Sequence, residues 1–174
     1  CRFENNHSFF GGVIDNARSG TIEATGCSFI GNRAEVGGAV YESSTTSRYS
    51  ECTFIGNEAS YGGAVYHGSS SGSVMRNCRF VGNEGLTGGA IECYGSAPSH
   101  FNCLFAGNVA RDRGGGCFSR NGATPLLVNC TFSGNHAMDR AGGVYGNTGE
   151  SLTTLVGCIL WGNTDVRNEQ GRGA

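Results

Sequence analysis

The chain has 174 residues, a length that allows one domain with a single core. Glycine supplies 31 residues where average usage would give about 12, and proline supplies only 2, so collagen and proline-rich disorder are excluded. The charged fraction is 15%, the net charge is −2 and lysine is absent, which argues against nucleic-acid partners. No apolar run approaches the roughly 20 residues of a membrane span, so we expect no membrane insertion by this segment.

A six-residue motif recurs from the first residue almost to the last. It consists of a cysteine, an aromatic residue or leucine two positions later, and an asparagine five positions later. Its seven copies are CRFENN at 1–6, CSFIGN at 27–32, CTFIGN at 52–57, CRFVGN at 78–83, CLFAGN at 103–108, CTFSGN at 130–135 and CILWGN at 158–163. Their cysteines are 25 to 28 residues apart, a period typical of solenoids.

Two further segments complete each repeat. A glycine-rich block follows the asparagine: GGVID at 11–15, GGAVY at 37–41 and 62–66, GGAIE at 88–92, GGGCF at 114–118 and AGGVY at 141–145. A looser segment, such as SRYSE at 47–51, precedes each cysteine. All are short, alternate β-branched or aromatic residues with small or polar ones, and are bounded by Gly, Asn and Ser, which indicates strands. Because Gly-Gly and Gly-Asn pairs interrupt every helical window, a helical solenoid is disfavoured.

We therefore predict an all-β parallel β-helix over residues 1–163, followed by an exit segment at 164–174. It would have six to seven coils of about 26 residues, with three short strands per coil. Stacking would place equivalent residues in columns about 4.8 Å apart. The first coil begins at full motif strength without a polar cap, so we expect material before residue 1, or end-to-end contact with another chain through uncapped coils.

Alternation along the strands predicts which columns face inward. The two core columns are Phe3, Phe29, Phe54, Phe80, Phe105, Phe132 and Leu160, and Ile14, Val40, Val65, Ile91, Cys117 and Val144. The asparagine column is Asn6, Asn32, Asn57, Asn83, Asn108, Asn135 and Asn163. Asparagine tolerates left-handed backbone and can bond to the same amide one coil away, so we favour a structural ladder over ligand-binding amides.

The cysteines and the histidines give no metal-ligand pattern. Seven cysteines stack in the column that starts the motif, and we favour packed free thiols there over disulfides. Cys93 and Cys117 lie outside that column in neighbouring coils, and a single disulfide between them stays open. Since CxxC and HxxxH pairs are absent and the four histidines occupy different columns, no metal site is expected.

An outward column of Asp15, Tyr41, Tyr66, Glu92, Phe118 and Tyr145 follows the glycine blocks. Its aromatic members Tyr41, Tyr66, Phe118 and Tyr145 are the candidate binding residues. An exposed aromatic stripe can serve as a sugar-stacking platform. The alternative, which we favour, is packing of rings between coils that stiffens the sheet.

The pairing of FxxN with GGAV or GGAI at this period resembles the repeats of polymorphic outer-membrane proteins. More broadly, it is similar to right-handed parallel β-helix proteins of the pectate-lyase-like superfamily. The matching blocks include FIGN at 29–32 with GGAVY at 37–41, and FVGN at 80–83 with GGAIE at 88–92. The resemblance implies a right-handed helix and a secreted or cell-surface bacterial passenger, in some relatives an adhesin. It implies no reaction.

Two functions from different classes follow. The first is a non-catalytic, adhesin-like scaffold that presents loops and the aromatic stripe to a protein or glycan partner, without a cofactor. The second is a polysaccharide lyase or glycoside hydrolase with a groove along one sheet, for which Ca²⁺ would be needed in the lyase case. Weak catalytic candidates are Glu92, Arg111, Asp112 and Arg113, and a second weak pair is Glu42 with His67. Because surface ion pairs explain both groups and the period is regular, the scaffold is favoured.

Overall fold

The structure is a computed structural model that describes residues 1–147 and 151–166. Those residues form a parallel β-solenoid of about 26 residues per turn, which confirms the predicted fold class. The strands stack in four sheets, so a complete coil contributes four short strands and not the three predicted. No helix in the described ranges has the length and apolar character needed to cross a membrane.

We name the sheets A to D in the order in which the first complete coils visit them. Sheet A contains Arg2–Glu4, Ser28–Ile30, Thr53–Ile55, Arg79–Val81, Leu104–Ala106, Thr131–Ser133 and Ile159–Trp161. Sheet B contains Glu58–Tyr61, Glu84–Thr87, Val109–Arg113, His136–Ala137 and Thr164–Asp165. Sheet C contains Ile14–Ala17, Val40–Ser43, Val65–His67, Ile91–Tyr94, Cys117–Arg120 and Val144–Gly146. Sheet D contains Glu23–Thr25, Arg48–Ser50, Val74–Arg76, Ser99–Phe101, Leu126–Val128 and Thr154–Val156.

Sheet B was not predicted, and it reflects the short segment after each ladder asparagine. Its inward positions carry Ala34, Ala59, Gly85, Ala110 and Ala137, whose small side chains let this wall pack close to the core. In the first two coils the same segment pairs only through isolated bridges. At the other end, Thr164 and Asp165 still pair with His136 and Ala137, so the strand pairing continues past residue 163. The rest of the predicted exit segment, residues 167–174, lies outside the described residues.

The phenylalanine column forms the centre of the core. Each ring is in register with the ring one coil away, and the five from Phe29 to Phe132 are fully buried. Between these five, ring centroids lie 4.4–4.8 Å apart and interplanar angles are 2–4°. Offset or parallel ring contacts of this kind stabilise beyond their buried area.

The asparagine column is a continuous ladder of side-chain hydrogen bonds. The Nδ2 group of Asn57, for example, donates to the Oδ1 atom of Asn83 at 2.9 Å and to the carbonyl oxygen of Phe29 at 3.0 Å. The backbone N–H of Asn57 donates to the same Oδ1 atom at 3.0 Å. The pattern repeats along the described coils, so amides with no solvent exposure are satisfied.

The left-handed backbone conformation occurs at residues next to the ladder asparagines and not at the asparagines themselves. The residue before each ladder asparagine has positive φ, as at Gly82 with φ 60°, while the asparagine does not. The first residue of each glycine-rich block also has positive φ, 59° at Gly88, and in the last block this residue is Ala141. The second glycine has a different reason: a Cβ on Gly89 would collide with the carbonyl oxygen of Gly115 in the next coil. The turn from sheet B into sheet C therefore favours glycine at both positions.

All nine cysteines lie in described residues and are free thiols. In the main column each buried thiol donates to carbonyl oxygens; Cys78, for example, lies 3.4 Å from the oxygen of Arg76 and 3.6 Å from that of Tyr49. Cys93 and Cys117 are both buried and unbridged. Their strands are neighbours, but Cys93 is in register with Ser119, so the two cysteines are offset by two strand positions.

Candidate binding surface

Two outward columns meet where sheet B turns into sheet C, and we call this concave edge the B–C corner. From sheet B it receives Phe10, Val36, Tyr61, Thr87, Arg113 and Arg140. From sheet C it receives Asp15, Tyr41, Tyr66, Glu92, Phe118 and Tyr145. Side chains touch across the corner: the rings of Phe10 and Tyr41 are 4.9 Å apart, and Arg140 donates to the Tyr145 hydroxyl at 3.0 Å.

The predicted aromatic stripe is present but its ring faces are largely covered. Tyr41 and Tyr66 stack at 5.7 Å with an angle of 11°, and Phe118 and Tyr145 stack at 5.6 Å with an angle of 17°. Rings stacked along the axis turn their edges and hydroxyls outward, so they offer little face for a sugar. Tyr41, Tyr66 and Tyr145 are half-buried, but Phe118 is only 3% exposed. Its prediction as a surface binding residue is wrong, because Arg120 and Tyr145 cover its ring.

Glu92 interrupts the stripe and is fully buried, although alternation points it outward. The Nε atom of Arg120 donates to its Oε1 atom at 2.7 Å, and the hydroxyl of Thr87 donates to Oε2. Burial raises the pKa of the Glu92 carboxyl, while the charge of Arg120 and these hydrogen bonds act in the opposite direction. The Arg120 guanidinium in turn lies 5.0 Å from the Tyr94 ring and 5.4 Å from the Tyr61 ring. An arginine among aromatic rings, tied to a buried carboxylate, is a rigid centre for the corner.

The weak catalytic candidates are not brought together. Glu92 is occupied by Arg120 and Thr87, whereas Arg111 lies on the outer face of sheet B and contacts Glu84 at 2.6 Å. Arg113 contacts Asp112 at 3.3 Å and Asp139 at 3.5 Å. The register shifts between Ala110 and Arg113, so that Arg113 pairs with Thr87 of the coil before it. Glu92, Arg111 and Arg113 are therefore held in separate ion pairs, as the favoured interpretation expected, and are not assembled with Asp112 into one site.

A scan against family models matches residues 51–68 to the Chlamydia polymorphic membrane protein (Pmp) repeat. The matched stretch contains CTFIGN and GGAVY, the two blocks that build the ladder and the B–C corner. The chain is a β-helix protein with Pmp-like repeats. The match is consistent, at a coarse level, with a protein associated with the outer membrane or cell surface. Comparisons with curated proteins and with solved structures give no match, so the pectate-lyase-like superfamily stays a resemblance.

A second surface feature of this Pmp-like β-helix is an open groove of about 680 Å³ along the outer face of sheet B. Its charged side chains neutralise one another: Arg33 lies 3.2 Å from Glu58, and Arg111 lies 4.0 Å from Glu58. Phe9 and Leu86 add apolar surface and are 64% and 45% exposed. The groove is thus mixed in character, with the carboxylates of Glu58 and Glu84 held in ion pairs. In the described residues, no group of His, Cys, Asp and Glu is arranged to hold a metal ion.

Inside the Pmp-like β-helix, Glu42 and His67 pair from equivalent positions of neighbouring coils, but the pair is fully buried and is not the surface ion pair that was expected. The Nδ1 atom of His67 lies 3.1 Å from Oε2 of Glu42, and the Tyr49 hydroxyl donates to Oε1 at 2.9 Å. Burial acts to raise the pKa of Glu42, but the hydrogen bond and charge of His67 outweigh it and lower the pKa to about 2. The ring of His100 packs 5.5 Å from that of His67. The sequence assigns these two histidines to different columns. It does not show that the two columns face each other across the interior, because alternation along one strand gives no information about the opposite sheet.

Proposed function

We propose that the chain is a non-catalytic, adhesin-like scaffold of the cell surface whose B–C corner binds a partner. The observation that carries the proposal is the B–C corner, a concave strip with half-buried tyrosines. Its arginine, Arg120, is held by Glu92, and its strands are in register from coil to coil. Tyrosine and arginine are the residue types that dominate protein interfaces. The Pmp-like repeat supports surface location.

Stacking geometry favours a protein partner over a glycan. Sugars bind best to an open aromatic face, whereas Tyr41 and Tyr66 present edges and hydroxyl groups. Edges and hydroxyls suit the mixed polar and apolar contacts of a protein surface. The dispersed, ion-paired acids and bases support a scaffold over a lyase or hydrolase.

Binding of the labelled chain to intact cells and to cells treated with protease or with glycosidases tests the proposal. We expect binding to be lost on protease treatment and to fall at least tenfold in a Tyr41→Ser, Tyr66→Ser variant. Arg79→Ser, a change at an exposed residue of sheet A, is the matched control and should bind like the parent chain. Tyr66→Phe keeps the stacked ring and separates loss of the hydroxyl from loss of packing.

Two results would overturn the proposal. The first is a double variant that keeps its far-ultraviolet circular dichroism and binds as well as the parent chain. The second is cleavage of a uronate polysaccharide by the purified chain, seen as ultraviolet absorbance of an unsaturated product, which would establish the lyase alternative. Binding that survives protease but not glycosidase treatment would replace the protein partner with a glycan.

A further inference from the structure

His100 is the least satisfied polar side chain in the interior. It has no solvent exposure, and neither of its ring nitrogens has a hydrogen-bond partner among the described residues. The Nε2 atom of His67 is likewise buried without a partner, since Glu42 occupies only the Nδ1 side. This contrasts with the asparagine ladder, where every buried amide is bonded. A buried imidazole without an acceptor is stable only while it is neutral.

The surroundings of His100 offer little to stabilise a positive charge. Its ring packs against Phe105 at 6.2 Å and against His67 at 5.5 Å, and its strand neighbours are Met75 and Leu127. The titratable side chains around it are Glu42, His67 and Cys93 from sheet C, Tyr49 from sheet D, and Cys103 and Cys130 from the corner between sheets D and A. The carboxylate of Glu42 is the only anion among them, and it is already bonded to His67 and Tyr49.

We propose that the coils around His67 and His100 form an acid-sensitive joint, that is, a segment that unfolds locally when His100 takes up a proton. The outer coils stay folded. A solenoid permits such local opening because each coil contacts only its neighbours. Opening gives the imidazole access to water, where its charged form is solvated. The inference is independent of the partner bound at the B–C corner.

The direction and size of the effect follow from linkage. Burial first, and then the charge of His67, lower the pKa of His100 from 6.5 to about 3, with Glu42 acting in the opposite sense. A group whose pKa is lowered in the native state favours the native state fully above its open-state pKa, and this advantage is lost as the pH falls towards 3. For these values the opening equilibrium at pH 5 increases about 30-fold relative to pH 8.

Hydrogen exchange with mass spectrometry on the full chain at pH 5 and pH 8, corrected for intrinsic exchange rates, measures this opening. We expect the opening constant of residues 91–106 to rise about 30-fold at pH 5, with a much smaller change in the outer coil at residues 2–17. His100→Leu, which matches the apolar neighbours in its column, should abolish the difference. His7→Gln removes an exposed histidine and should behave like the parent chain.

The proposal is overturned if residues 91–106 open equally at both pH values, or if all coils open together. It is also overturned if His100→Leu folds and remains as acid-sensitive as the parent chain. Should that variant not fold, His100→Met takes its place, since methionine already occupies the equivalent position one coil earlier. In that event the position-resolved exchange of the parent chain still decides between a joint and uniform unfolding.

Discussion

Replacing Asn83 by alanine tests whether the ladder holds the coils together. The Oδ1 atom of Asn83 accepts bonds from the backbone and side chain of Asn57, at 3.0 and 2.9 Å. Its Nδ2 group donates to Asn108 at 2.9 Å and to the carbonyl oxygen of Phe54 at 3.0 Å. Alanine leaves two buried donors of Asn57 without a partner, while Asn108 keeps its bond from the backbone of residue 83.

Each orphaned buried group costs about 1–2 kcal/mol, so the free energy of unfolding should fall by about 2–4 kcal/mol. Asn6→Ala is the matched control, because Asn6 is exposed and donates a single side-chain bond, to Asn32. We expect it to cost under about 1 kcal/mol. Urea unfolding followed by circular dichroism compares the two variants. Equal losses for both would refute the view that the ladder stabilises by satisfying buried polar groups.

Four further outcomes are expected. Phe80→Ala should lower the unfolding free energy by about 3–5 kcal/mol in urea titrations, because the ring is stacked on both sides. Gly89→Ala should abolish soluble expression, since its Cβ would meet a carbonyl oxygen of the next coil. Stability should fall as pH drops from 4.5 towards 2, where Glu42 takes up a proton, and Glu42→Gln should flatten that part of the profile. In the native chain a thiol reagent should modify only Cys1 and Cys158 rapidly, with all nine cysteines reacting after denaturation.

Much of the fold could be predicted because the motif fixes the register. Once seven cysteines and seven asparagines recur at one period, the strand containing Phe54 can pair only with those containing Phe29 and Phe80. Sheet B escaped prediction because its inward residues, such as Ala59 and Gly85, carry no apolar signal. A small residue two positions after each of the first six ladder asparagines was the available sign.

The candidate site could be predicted only in outline. Alternation gave the outward column correctly, but burial at a concave corner depends on the neighbouring sheet, and so the covering of Phe118 and Glu92 was missed. The Arg120 centre escaped because its partners Tyr61 and Tyr94 come from different coils and sheets. Contacts across the interior, such as that of His67 with His100, depend on the distance between opposite sheets, which could not be predicted from the sequence.

The ladder also gives the rod a direction. From Asn6 to Asn135, every ladder amide donates to the Oδ1 atom of the asparagine in the coil that follows it in sequence, so these amide-to-amide bonds all run the same way. At any break in the array, one face would therefore present an acceptor and the other a donor. Two such arrays can be joined in series, but a twofold axis would set acceptor against acceptor or donor against donor. Stacking of one ladder on another is consequently polar.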